Sequence, residues 1–201
     1  AKVEATLEGV RAADCMLIWR EAALYPTWFP FVSGGKMLGE LHPSEAVLQL
    51  FVDTSFMNVD IPLWGFACDN ISVDSSLLLC VRPVDGDTKL PTGVAPPDPT
   101  TGRSIKLLGS WRALAYIDIL VEPTGPRSVR IAFRMMGELP SYAPSWTFNH
   151  IVQDGMCNIF REMSKVATRM AADDPECAHT KHVTRSSYSK VKRWFEDAIR
   201  F

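Results

Sequence analysis

The sequence predicts an α+β fold in which one antiparallel sheet packs against a long helix near the C-terminus. Two stretches, Trp111–Val121 and Val129–Met135, alternate apolar and polar residues, as strands with one covered face do. A third stretch, about Ser145–Ala172, repeats apolar residues at four-three spacing, the period of an amphipathic helix. A strand, a helix, a run of strands and then one long helix is an α+β order of elements.

Length and charge limit the class of protein. With 201 residues, 47% of them hydrophobic, the chain can bury one substantial core. A net charge of −2 and a pI of about 6.1 leave no basic surface, so we expect no nucleic-acid partner. No apolar run approaches the roughly 18 residues that a membrane-spanning helix needs.

The cysteine residues and the first residue bear on where in the cell the protein is located. Five cysteines, scattered and odd in number, favour reduced thiols and a cytoplasmic setting over a disulfide framework. Because the chain begins with Ala1 rather than methionine, we expect any targeting segment to be absent from it.

The N-terminal region is predicted to form a strand and then a helix. Residues 2–8 alternate apolar and polar side chains, which indicates a strand with one wet face. The helix begins near Ala12 and must stop by Tyr25, since Pro26 removes a donor and disfavours helical geometry before it. Four aromatic residues follow within seven positions: Tyr25, Trp28, Phe29 and Phe31. Leaving these four side chains exposed to water would cost too much free energy, so this turn should close a core or a cavity.

The central part of the chain is predicted to be mostly strand. Four strands are expected at Lys36–Leu41, Glu45–Asp53, Phe66–Val73 and Ser76–Val84. The first two form a hairpin with its turn at 42–44. Between the second and the third, Phe56–Phe66 is apolar but broken by Pro62 and Gly65, which predicts an irregular crossing.

A loop and two long strands come next. Asp85–Gly102 holds four prolines and three glycines without periodicity, so we expect a mobile surface loop outside the core. The two alternating stretches that follow should be adjacent antiparallel strands whose odd-numbered residues all face the interior. Arg130 and Arg134 should then lie on the outer face.

The aromatic turn carries a motif. Glu21–Val32 contains the pattern Leu-Tyr-Pro-x-Trp-x-Pro-Phe, which resembles the helix-to-strand turn of the StAR-related lipid transfer (START) family. The order of elements is similar to that family's helix-grip fold, a curved antiparallel sheet wrapped around a long C-terminal helix. The resemblance runs from about Lys2 to Met170. At one position the chain departs from the family: Asp60 matches the Asp of an Arg-Asp pair, but Val59 stands where the Arg would.

The resemblance implies a START-like lipid-binding domain over 1–172 and a C-terminal extension over 173–201. The domain would bind a hydrophobic lipid, and transfer it between membranes, in a cavity between sheet and long helix. The expected partners are this ligand and, transiently, a membrane surface. The cavity is expected to be lined by Trp28, Leu48, Leu50, Leu79, Ala113, Ala115, Ile117, Ile131, Phe133, Met135, Val152, Met156, Ile159 and Met163.

The predicted inward faces hold almost no polar side chain, which argues against an enzyme and against a cofactor. Two alternatives on the same fold stay open: a polyketide-cyclase-like enzyme, which would place polar groups inside the cavity, and a quinone-binding chaperone. The ligand could be a phospholipid, a sterol, a fatty acid or a quinone. The methionines of the long helix, Met156, Met163 and Met170, suit an adaptable lid over a cavity or a solid core.

The extension offers no clear chemical site. Cys177, His179 and His182 could be read as soft metal ligands, but zinc wants four ligands, or three with an open position. We therefore expect a polar linker and no metal. Ser186–Phe201 has the pattern of an amphipathic helix with basic residues beside aromatics. Such a helix either packs on the domain or lies at a membrane surface.

Overall fold

The computed structural model of the chain describes residues 2–42, 44–53, 58–70, 73, 76–98, 110–138 and 145–183. Side chains are described for all of these except 69, 110, 111, 138, 145–154 and 183. The predicted helix Ser186–Phe201 lies outside the described residues, as does the C-terminal end of the predicted loop.

A curved, largely antiparallel sheet and a long C-terminal helix confirm the α+β prediction. The strands are β1 (Lys2–Glu8), β2 (Val32–His42), β3 (Glu45–Asp53), β4 (Asn58–Asn70), β5 (Ser76–Pro83), β6 (Ser110–Arg112), β7 (Leu114–Gly125) and β8 (Ser128–Glu138). The helices are α1 (Ala12–Arg20), a 3-10 helix (Ala22–Thr27), α2 (Ser145–Ala171) and α3 (Ala178–Val183). The strand order is β1-β8-β7-β5-β4-β3-β2, and β6 pairs with β4. None of the described helices is long and apolar enough to cross a membrane.

The register of β7 and β8 confirms the prediction for the two alternating stretches. They pair antiparallel, with Ile119 opposite Phe133 and Val121 opposite Ile131. These four side chains are fully buried, whereas Arg130 and Arg134 are exposed on the other face. The two-residue period of a pleated strand therefore sets which face meets the core.

The predicted strand Trp111–Val121 is in fact two strands. β6 pairs in parallel with β4, while β7, starting at Leu114, pairs with β5 and β8. At the break, the Ala113 N–H donates to the carbonyl oxygen of Asp60 at 3.0 Å. The chain changes its hydrogen-bonding partner at this residue, which an alternation pattern does not reveal.

The predicted irregular crossing at Phe56–Phe66 is wrong for its described residues, because β4 is continuous from Asn58 to Asn70. Pro62 lies inside this strand, opposite Gln49 of β3. Its carbonyl oxygen accepts from the Val84 N–H at 2.9 Å, just past the end of β5. The missing proline donor thus falls where the ladder with β5 ends, so it does not break the strand.

The described part of the predicted loop, 85–98, packs on the outer face of the sheet. Val94 and Leu90 pack against a small buried cluster of Leu38, Val47 and Val84. The Ala95 N–H donates to the Leu38 carbonyl oxygen at 2.9 Å. The prediction that this segment lies outside the core is therefore wrong, since its few apolar residues close a second, smaller core. Its mobility stays a prediction.

A buried polar network fastens the end of this segment. The Gln49 amide accepts from the Asp98 N–H at 2.8 Å and donates to Asp60 Oδ2 at 3.1 Å. Arg112 Nη2 donates to the same Asp60 oxygen at 2.8 Å, and this bond raises the pKa of the guanidinium. Asp60 therefore has an arginine partner on the outer face of the sheet, while Val59 points to the buried inner side. Asp60 thus pairs with an arginine on another strand and not with a neighbour in sequence.

The helix α1 ends at Arg20 and is followed by the 3-10 helix that contains Pro26, so the predicted stop before Tyr25 is confirmed. α1 is buried along nearly its whole length. One side faces α2, and Trp19 stacks on Phe133 of the sheet with ring centroids 5.4 Å apart. The predicted long helix is confirmed as α2. Its described methionines, Met156, Met163 and Met170, lie in the core.

Strand β2 passes so close to the 3-10 helix that Gly35 has no room for a side chain. A Cβ there would lie 2.1 Å from the carbonyl oxygen of Ala22. We expect Gly35→Ala to lower the free energy of unfolding by about 2–3 kcal/mol in urea titrations, because backbone must shift. Gly86→Ala is the control, since nothing lies within 4 Å of its added Cβ. Equal urea midpoints for the two variants would contradict this close packing.

The residues after α2 pack on the domain, so the predicted polar linker is wrong. Cys177 and His179 are buried, and α3 contacts both α2 and the 3-10 helix. His182 Nε2 lies 3.4 Å from Glu21 Oε2. Among the described residues, no three ligands gather that could hold a metal ion. The domain boundary at 172 stays a prediction, although 173–183 contributes to the same core.

His179 should make stability depend on pH. Burial, with a smaller effect of the neighbouring His182, lowers the pKa of His179 to about 4 from its ordinary 6.5. As the pH falls, the unfolded chain therefore takes up this proton before the folded protein does. The stability that is present above about pH 6.5 is lost as the pH falls toward 4. Because each pKa unit corresponds to about 1.4 kcal/mol, the free energy of unfolding should fall by up to about 3 kcal/mol.

Urea unfolding of wild type and His179→Gln at neutral and acid pH measures this loss. The variant should lose less stability on acidification than wild type does. His42→Gln, at an exposed histidine, should behave as wild type. A His179→Gln variant with an unchanged pH dependence would show that the imidazole is not held neutral by burial.

Candidate functional site

A cavity of about 590 Å³ lies between α1, the 3-10 helix and the inner faces of β2 to β5 and β7. Strand β3 shows how the sheet forms its floor. Ala46, Leu48 and Leu50 face the cavity, and in β4 their partners Gly65 and Leu63 do the same. Because side chains alternate along a strand, Val47 and Gln49 lie on the opposite face under the 85–98 segment. β5 and β7 extend the floor with Leu79, Val81, Ile117 and Ile119.

The aromatic turn and α1 form the opposite wall. Trp19, Tyr25 and Phe29 line the cavity, together with Leu17. Their rings pack edge to face or tilted, with Trp19 and Tyr25 centroids 6.1 Å and 5.5 Å from that of Phe29. The Tyr25 hydroxyl donates to the carbonyl oxygen of Trp19. Burial, and secondarily the charge of Glu21, raises the pKa of the Tyr25 phenol, so it stays protonated. This part of the wall is therefore apolar.

Polar side chains gather at one end of the cavity, beside the β2–β3 turn. Arg20 Nη2 donates to Glu40 Oε1 at 2.5 Å, joining α1 to β2. His42 Nδ1 and Ser44 Oγ lie 2.7 Å apart and form a hydrogen bond within the turn. Glu45 borders the same end, but its Oε1 accepts at 2.9 Å from Nε1 of Trp64, which packs against the Leu38, Val47 and Val84 cluster on the outer face of the sheet. The described polar lining thus consists of side chains already bonded to protein groups.

Burial along β2 and β3 shows where the cavity opens. Leu48 and Leu50 are buried, at 8% and 4% exposed, whereas Ala46 is half-buried. Glu40 and His42, which line the polar end, are exposed. The cavity is therefore closed at its apolar end and opens to solvent at the β2–β3 turn.

Four of the predicted lining residues meet at this cavity: Leu48, Leu50, Leu79 and Ile117. The others with described side chains are mostly buried in the core and are not part of the described lining: Trp28, Ala113, Ala115, Ile131, Phe133, Met135, Met156, Ile159 and Met163. The Val152 side chain lies outside the description. Any role of these residues in ligand binding stays a prediction.

The structure places α1, rather than the described part of α2, against the cavity. The predicted lining residues do not include Met16 and Leu17, two residues of α1 that line the cavity. A signal was present, because a helix that is apolar all round is covered on two sides. The lining role of Arg20 and Glu40 had no such signal, since their contact joins residues far apart in sequence.

Comparisons with known proteins fix the fold. No model of a known family matches the chain, and a search of curated proteins finds no match. Among solved structures, a StAR-related lipid transfer protein from Xanthomonas axonopodis is 17% identical over 82% of both chains, with a TM-score of 0.62. Human STARD10 is 14% identical over 94% of this chain and 70% of its own, with a TM-score of 0.66.

A di-domain ARO/CYC protein, BexL from the BE-7585A biosynthetic pathway, is also similar. It is 14% identical over 87% of this chain and 51% of its own, with a TM-score of 0.51. At such identities the likeness shows the fold alone. The chain therefore has the START-like helix-grip fold that its aromatic turn predicted.

Proposed function

We propose that this START-like domain binds a hydrophobic lipid in the cavity between α1 and the sheet and carries it between membranes. The observation that carries the proposal is an apolar cavity of about 590 Å³, closed at one end and open at the other. Each methylene gains about 0.8 kcal/mol on leaving water, and a bilayer supplies nearly the same gain. Exchange between membrane and cavity would then be close to balanced, as a carrier requires.

We further propose that the domain acts by binding, without catalysis or a cofactor. In support, Arg20 and Glu40 are paired with each other, and their bond leaves neither as an isolated acid or base. The five cysteines are free thiols, which fits a reducing, cytoplasmic location. The StAR-related names of the similar structures agree with the ligand class.

Mass spectrometry of solvent extracts from the purified chain would test lipid binding. We expect a co-purifying lipid near one molecule per protein. Transfer would be followed with a fluorescent lipid moving from donor to acceptor vesicles, where the protein should raise the rate in proportion to its concentration. Purified protein that carries no lipid and takes up no fluorescent fatty acid would refute the proposal.

A second candidate is an enzyme of the polyketide-cyclase type. The His42–Ser44 hydrogen bond of 2.7 Å at the cavity mouth favours it, since a serine hydroxyl beside an imidazole base is the arrangement used in nucleophilic catalysis. A poly-β-ketone thioester mimic would test it. Conversion above the uncatalysed rate that is lost in His42→Ala would support the enzyme. If wild type gives no conversion, the enzyme hypothesis fails and the lipid-carrier proposal stands alone.

A further inference from the structure

The two edges of the sheet differ in how they are protected. The strand order places β1 at one edge and β2 at the other. The ladder of β2 has three irregularities, and its Leu38 carbonyl oxygen accepts from the Ala95 N–H of the 85–98 segment at 2.9 Å. β1 pairs with β8 without a break in register, and no second described strand pairs with it. Because bulges and covering segments keep sheets from joining edge to edge, only the β2 edge is protected in this way.

The register of β1 shows which of its backbone groups point away from β8. The Gly9 N–H donates to the Arg127 carbonyl oxygen at 2.7 Å, so the odd-numbered positions bond to β8. The backbone groups of the four even-numbered residues therefore face outward at the edge: Lys2, Glu4, Thr6 and Glu8. None of these groups has a second backbone partner among the described residues. The edge can therefore accept another strand along its whole length.

The side chains of the outward-facing residues indicate which strand fits. In an antiparallel pair of two β1 strands centred on Ala5, Lys2 lies opposite Glu8 of the second copy, and Glu4 lies opposite Thr6. Both pairs are favourable, and a two-fold axis repeats each of them. Shifting the second strand by two residues in either direction places glutamates opposite each other, which is unfavourable. The charges on β1 therefore favour one register of self-pairing that uses the whole strand.

The inner face of β1 gains from the same pairing. Val3, Ala5 and Leu7 pack against the core but are only half-buried. In the register centred on Ala5, Val3 of one copy meets Leu7 of the other, so these apolar side chains cover each other. The cavity mouth lies at the β2–β3 turn, on the opposite edge of the sheet, so pairing along β1 leaves both mouths open.

We infer that a second copy of this chain binds along β1, so that two sheets join into one across a two-fold axis. About eight backbone hydrogen bonds form, two for each opposed pair of outward-facing residues. The interface is a single strand on each side, which is small for a protein dimer. We therefore expect a dissociation constant of about 10–100 μM. This dimer does not depend on the proposed lipid binding, and its test does not use a lipid.

Sedimentation equilibrium of the full chain from about 1 to 500 μM tests the dimer. Wild type should pass from 22.4 kDa to twice that mass over this range. Thr6→Pro removes an outward-facing N–H and leaves the ladder with β8 intact, so it should raise the dissociation constant at least about tenfold. Thr6→Ser keeps both the N–H and the hydroxyl and should dimerise as wild type does. Circular dichroism melting checks that both variants are folded.

An exchange of charges tests the register. Lys2→Glu and Glu8→Lys each place like charges opposite each other, so each variant alone should stay monomeric where wild type is half dimeric. An equimolar mixture of the two variants should dimerise again, because every opposed pair at these positions then joins a lysine to a glutamate. A structural defect in either variant would not be rescued by mixing.

Three results would overturn the inference. The first is a wild-type chain that stays at 22.4 kDa up to about 500 μM. The second is a Thr6→Pro chain that dimerises as tightly as wild type, and the third is a mixture of the two charge variants that stays monomeric. Either of the last two results would place the contact between copies on another surface.

Discussion

Replacing Gly65 by tryptophan should abolish lipid binding while the protein keeps its fold. Gly65 lies on the inner face of β4 and lines the cavity. A Cβ there meets only ordinary contacts, with Ala46 O and Val81 Cγ2 both 3.9 Å away. The indole would occupy the space of the lipid tail. Excluding even four methylenes costs about 3 kcal/mol, so affinity for a fluorescent fatty acid should fall by more than about a hundredfold.

The control for this variant is Gly86→Trp. Gly86 lies in the 85–98 segment, where nothing approaches within 4 Å of an added Cβ. It should bind lipid as wild type does, and both variants should melt close to the wild-type temperature. If Gly65→Trp melts normally and still binds lipid with wild-type affinity, the ligand does not occupy this cavity.

The floor of the cavity could be predicted from the sequence because the information is local. In β3, β5 and β7 the alternation of side chains decides which residues face inward, and Leu48, Leu79 and Ile117 follow it. A one-residue slip would expose a whole apolar face, so the register is strongly specified. The aromatic turn was informative in part: Tyr25 and Trp28 are buried and Phe29 is half-buried, but Phe31 is 49% exposed, so the prediction that all four rings are covered is wrong for Phe31.

The walls and the mouth depend on contacts that no local pattern contains. Periodicity shows that a helix has an apolar face, but not which element covers that face. The apolar repeat of the long helix therefore favours that helix as the lid, whereas α1 forms the described helical wall. The same limit applies to the ion pair between Arg20 and Glu40, and to the ion pair between Asp60 and Arg112, whose strands are neighbours in the sheet but far apart in sequence.

The methionine stripe of α2 gives the second large effect. Met163 is fully buried in the core and is not part of the described cavity lining. Met163→Glu should therefore unfold the protein rather than only block lipid binding, since an unpaired carboxylate there is strongly disfavoured. We expect a loss of about 4 kcal/mol or more, against a total stability of about 5–15 kcal/mol for a typical domain. Circular dichroism melting would measure it.

Two control variants separate charge from shape and from position. Met163→Leu keeps the volume and polarity and should cost less than about 1.5 kcal/mol. Thr168→Glu places the same charge on the exposed face of the same helix and should melt close to wild type. A Met163→Glu protein that melts normally yet no longer takes up a fluorescent lipid would contradict the solid-core packing. That result would place Met163 against the ligand and make α2 a wall of the binding site.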